Sequence, residues 1–101
     1  MSWASAYIAA LAEGRTVSFR PRGDSMTPRI RSGQLVTLEP ISDFAALAEG
    51  DVVLARVAGR HFLHLVSARD ETRVRISNNH GHINGWANRS AVYGKLIRVE
   101  E

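Results

Sequence analysis

Residues 23–40 read GDSMTPRIRSGQLVTLEP, and this stretch holds both ends of a turn. Its second half alternates, with Leu35, Thr37 and Glu39 on one phase and Val36 and Leu38 on the other, the period of a β-strand. Pro40 stops it. Upstream, Thr16–Phe19 is branched and aromatic, hence β-prone, and Pro21 and Gly23 close it. Asp24–Gly33 is too short and broken for a long helix, with Pro28 placed to open a single helical turn. Ser25 therefore stands in a tight turn between two strands. Two readings stay open for it. A turn serine commonly bonds its own backbone. A hydroxyl projected from such a turn, beside unpaired N–H groups able to hold an oxyanion, can instead act as a nucleophile once a base lies beside it.

Working outward, Val52–Val57 and His61–Ala68 flank Ala58-Gly59-Arg60 and predict a β-hairpin over 51–69. Residues 42–49 form a linker with room for a helical turn. Asp70–Thr72 turns the chain, Arg73–Ser77 is a short strand, and Ala91–Val99 a last one, interrupted by Gly94. Asn78–Asn88, rich in glycine and asparagine, reads as loop, with Gly81 and Gly85 permitting tight turns and Trp86 anchoring it by burial. At the other end, Trp3, Tyr7 and Leu11 recur every four residues with Ile8 beside them, an amphipathic helix over 2–13 that Ser2 caps and Gly14 ends. So short a helix is not stable alone. Its aromatic face must pack on the domain or on a second copy of the chain, which would make a homodimer. The organisation is thus an N-terminal helix (1–14) and one β domain (15–101).

Composition agrees with one small folded domain: 101 residues, 45% of them apolar. Without cysteine, disulfides and thiolate chemistry are excluded. No apolar run approaches the roughly 18 residues of a membrane span, and the N-terminus lacks the basic start of a signal peptide. A cytoplasmic protein without a membrane partner is expected. The net charge is +3, and Lys95 is the only lysine among thirteen basic residues. So small an excess does not mark a specific nucleic-acid partner. Arg20, Arg22, Arg29 and Arg31 bracket the serine turn, either as solvated surface, as an anion-facing patch or as partners of nearby acids. His80 and His82 are spaced to approach one metal ion, but zinc wants three or four protein ligands, and a polar loop over a cleft rim is the simpler reading.

The GDSMTP segment resembles the nucleophile box of the serine peptidase superfamily that joins LexA-type repressors to type I signal peptidases, Gly-x-Ser-Met-x-Pro followed by a Gly-Asp that opens a strand. Ser25 falls on the nucleophile and Met26 on the adjoining methionine, while Gly33-Gln34 replaces Gly-Asp. GDVVLARVAGRHFLHLV resembles the family's hairpin. Gly50-Asp51 matches its start, and His64 falls on the general base, a lysine in bacterial members and a histidine in signal peptidases of the endoplasmic reticulum and of archaea. ISNNHGHINGWANRSAVYGKLIRV resembles the third box, with Ser77-Asn78 in place of Gly-Asp, Asn79 near the family's asparagine, and Tyr93-Gly94-Lys95 like the closing Ile-x-Gly-Lys. The three boxes stand in the family's order and span residues 18–99.

The resemblance implies a mainly β fold, a small, coiled sheet with a short N-terminal helix, and a Ser25–His64 dyad needing no cofactor or metal. A histidine suits the base position, because its reference pKa of about 6.5 needs no lowering to act near neutrality, unlike lysine at about 10.4. Phe62, His64 and Val66 share one face of the return strand, giving the imidazole apolar neighbours. Asn79 or Asn84, Asp24 or Asp51 are candidates to orient the ring or form the rim, the family likeness favouring the Asn79 region. No Ala-Gly pair, the bond cut in LexA-type repressors, precedes Ser25, and the helix is too short to be their DNA-binding domain. The expected function is a stand-alone serine endopeptidase acting on a protein or peptide. The rival is a non-catalytic peptide-binding or regulatory domain on the same fold; a small nucleic-acid binder rests on the arginines alone.

Overall fold

The computed structural model describes residues 2–101. Its elements are α1 (Ser5–Ala12), β1 (Val17–Phe19), β2 (Leu35–Pro40), β3 (Val52–Val57), β4 (Arg60–Arg69), β5 (Arg73–Ser77), β6 (Ile83–Asn88) and β7 (Val92–Glu100), with single 3-10 turns at Phe44–Ala46 and Arg89–Ala91. All seven strands form one antiparallel sheet in the order β1-β2-β7-β3-β4-β5-β6. The fold is mainly β with one short helix. Among the described residues no helix is long and apolar enough to cross a membrane.

The alternation along the strands builds two cores, one on each face. Val36, Leu38, Val52, Leu54 and Leu63 join the first, together with Leu11 of α1 and with Met26 and Ile30 of the serine turn. Val53, Ala55, Val57 and Val66 join the second with Val74, Ile76, Ala87 and Phe44. The sheet coils tightly enough for β6 to return against β3, two strands away from its paired neighbour. Gly85 makes this approach possible: a Cβ there would stand 2.8 Å from Val57 Cγ1.

The segment 83–88, read above as loop, is an edge strand. Ile83, Gly85 and Ala87 alternate with Asn84, Trp86 and Asn88, but glycine and asparagine are poor strand formers, so their presence hid the period. Pairing with β5 through a bulge near Ser77 overrides that propensity. Trp86 is not the buried anchor expected; it is 40% exposed, and the Arg73 guanidinium lies 4.7 Å from its ring centre. Gly94 does not interrupt the last strand. It is paired with Pro40 and Leu54, and a Cβ there would meet Leu11 Cδ1 at 2.8 Å.

That contact seats the helix. α1 is shorter than 2–13, because residues 2–4 form a preceding turn in which Ser2 Oγ accepts from the Ala4 N–H at 3.3 Å. At the C-terminus Arg15 N–H donates to Ala10 O and Gly14 N–H to Leu11 O, both at 3.0 Å, the Schellman closure. Tyr7 stacks on Phe19 at 4.3 Å and Leu11 is buried. The stripe therefore packs on β1, β2 and β7 of its own chain, while Trp3 stays 51% exposed.

Candidate active site

Ser25 and Met26 point opposite ways, and this sets the serine turn. Met26 and Ile30 are each 4% exposed, plugged into the first core, whereas Ser25 faces outward. Pro28 follows a cis peptide bond rather than opening a helical turn. The base of the turn is closed by Gly33 N–H to Pro21 O at 2.8 Å and by Gly23 N–H to Ser32 Oγ at 3.1 Å.

His64 lies in the middle of β4, opposite Val53 of β3. It is 8% exposed, and its ring stacks on Phe62 with centroids 5.1 Å apart. Ser25 Oγ approaches His64 Nε2 to 3.1 Å, and Asn84 Oδ1 stands 2.9 Å from Nδ1 on the other side of the ring. An amide oxygen only accepts, so Nδ1 carries the proton and donates to Asn84. The Nε2 lone pair is then free to accept from the Ser25 hydroxyl. Burial pushes the His64 pKa below the ordinary imidazole value. The bond to Asn84 opposes that shift and the nearby His82 adds to it.

The residue bonded to His64 Nδ1 is Asn84, delivered by β6, and not Asn79. Asn79 instead braces the turn that carries Ser25: its N–H donates to Ser25 O at 2.9 Å and its Nδ2 to Thr27 O at 2.9 Å. Asp24 contributes its backbone carbonyl, which accepts from His80 Nε2 at 2.9 Å, while its exposed side chain makes no hydrogen bond to Ser25 or His64 among the described residues. Asp51 accepts from the Ala48 N–H at 2.9 Å and lies 3.7 Å from Lys95 Nζ. His80 also reaches Thr27 Oγ1 at 3.2 Å, so it is committed to the turn. Among the described residues no group of three histidine or carboxylate side chains is placed to hold a metal ion.

Ser25 and His64 open on a cleft of about 440 Å³, within the size range of ligand sites. Trp3, Tyr7, Phe19 and Phe62 supply apolar lining and Arg20 and Arg22 a basic border. The signal for Asn84 was its place on the polar phase of the alternation in INGWAN, next to Gly85.

No curated protein matches the chain. The family model described as Peptidase S24-like matches residues 2–95, spanning the serine turn, the hairpin and β6, and the chain belongs to this family.

Proposed function

We propose that the protein is a serine peptidase that cuts a peptide bond with Ser25 as nucleophile and His64 as general base. The observation that carries the reading is the continuous line Ser25 Oγ–His64 Nε2, His64 Nδ1–Asn84 Oδ1, with links of 3.1 and 2.9 Å, opening on a cleft. In this reading Ser25 Oγ attacks the substrate carbonyl carbon as its proton passes to Nε2. The imidazolium, held by Asn84, then gives that proton to the departing amine. Water, deprotonated by the same nitrogen, hydrolyses the acyl ester and restores Ser25. The Ser25 N–H donates to no backbone acceptor among the described residues, which leaves it available to the developing oxyanion. The substrate lies extended, adding main-chain bonds along an exposed strand. No cofactor enters the scheme.

Treatment with a fluorophosphonate, followed by peptide mass mapping, tests the reading. Stoichiometric adduct on Ser25, lost in His64→Ala, is the expected result. A folded protein with no adduct between pH 6 and about 9 would instead make the domain a non-catalytic peptide-binding module.

A further inference from the structure

The cleft beside Ser25 is uneven in chemistry. One wall is aromatic: Tyr7 stacks on Phe19 at 4.3 Å, and the Trp3 ring lies 5.8 Å from Phe19 and 6.5 Å from Tyr7. Phe62, stacked on His64, lines the same space. Trp3 lines the cleft and is 51% exposed, so this wall has aromatic surface left for a ligand to cover. An aromatic side chain brings about 150–250 Å² of surface to such a wall, whereas an alanine would leave most of the rings wet.

The border is basic, and its charges are unequally occupied. Arg31 is held by Glu101, whose two carboxylate oxygens accept at 2.8 and 2.7 Å. Arg20 donates to the Gly33 carbonyl at 2.9 Å and to the Glu101 backbone oxygen at 3.2 Å. Arg22 makes no ion pair among the described residues, and no acidic side chain lines the cleft. Arg22, a border cation without an ion-pair partner among the described residues, favours an anionic ligand and repels a cationic one.

We infer that the cleft selects peptides carrying an aromatic side chain, seated on the Trp3–Tyr7–Phe19 wall, with an acidic residue close by in sequence that meets Arg22. This rests on the peptidase reading of Ser25 and His64 and names its substrate class. The aromatic residue supplies burial and stacking, the acid supplies register, and both bring an extended main chain past Ser25.

The test separates the inference from the reading beneath it. Fluorescein-labelled decapeptides with phenylalanine or alanine at the centre, and glutamate or lysine scanned through the four nearest positions, are titrated into Ser25→Ala by anisotropy. Binding is thus measured without cleavage. The phenylalanine–glutamate peptides are expected to bind at least about tenfold more tightly than the alanine–lysine ones. In the Ser25→Ala background, Trp3→Ala should erase the preference for phenylalanine, and Arg22→Glu should invert that between glutamate and lysine. Both side chains are exposed, so circular dichroism should show intact folds. Equal binding of all peptides, or preferences that ignore these two substitutions, would overturn the inference, and fluorophosphonate labelling of the wild type would still uphold the peptidase reading. Selective binding without labelling would sustain the cleft's selectivity and overturn the hydrolysis.

Discussion

Ser25 stands on residues 20–34, a stretch without helix or strand, whereas His64 stands fifth in a ten-residue strand flanked by β3 and β5. The two regions are made rigid by different means. The serine turn is nailed down by the Met26 and Ile30 plugs and by bonds from Asn79 and His80. The histidine is fixed by strand pairing, by Phe62 and by Asn84. The difference is the one that the proposed roles of the two residues require. A nucleophile has to reach a substrate carbonyl, so its side chain is exposed and its stiffness is supplied by neighbours on either side. A base has to stay neutral and aimed, which burial and a strand provide together.

The contrast is sharpest on substitution. Ser25→Ala should lower turnover by a factor on the order of 10⁴ or more, yet shift the melting temperature by no more than about 3 °C, because an exposed hydroxyl contributes little packing. His64→Ala should remove activity to a similar degree and also destabilise the fold by about 2 kcal/mol, since it opens a cavity beside Phe62 and strands the Asn84 amide. Urea midpoints of the two variants, set beside their rates, measure the asymmetry. Equal stability losses would mean that the turn and the strand carry their residues in the same way.

Asn84 offers the next, smaller effect. Asn84→Ala should reduce kcat by about ten- to a hundredfold, less than loss of the base itself, with KM little changed. Asn84→Asp places a carboxylate on Nδ1–H, favours the imidazolium and should move the acidic limb of the kcat/KM profile to higher pH. A purely structural role for Asn84 would leave that limb unmoved. Asn79→Ala, by contrast, should act on the turn, lowering activity without displacing the pH profile.

Much of this was legible from residue order. The alternation in residues 34–39 contains β2, the β-prone runs on either side of Gly59 contain the hairpin, and the spacing of Trp3, Tyr7 and Leu11 contains the side of the N-terminal segment that packs on the sheet. The Ser25–His64 pairing was readable only through family resemblance, because nothing local joins residues 39 positions apart. Two things were hidden. The strand at 83–88 is written in asparagine and glycine, and only the coil of the sheet, which needs Gly85 against Val57, makes those residues fit. With that strand unseen, Asn84 could not be preferred to Asn79. The role of Gly94 was equally non-local, since it is explained by Leu11 arriving from the other end of the chain.

The smallest expected effect is also the one that reads the His64 environment directly. Burial lowers the folded-state pKa of His64 below the unfolded value of about 6.5. Above that value the ring is neutral in both states and contributes no slope. As pH falls below it, the unfolded chain takes up the proton first, so the folded state loses relative stability until pH passes the lower, folded-state pKa, where the slope ends. His64 thus favours folding in the neutral range and withdraws that contribution under mild acid. The same proton blocks Nε2, so kcat/KM should rise through a midpoint below about 6.5. Proton NMR of the His64 ring gives this pKa without any assay, with His64→Gln assigning the resonance. The difference in urea midpoint between wild type and His64→Gln, followed from pH 8 down to about 5, should shrink over the same interval. A ring that titrates at or above 6.5 would mean that the Asn84 bond outweighs burial, and would place the base in a wetter setting than its neighbours Phe62 and Val66 describe.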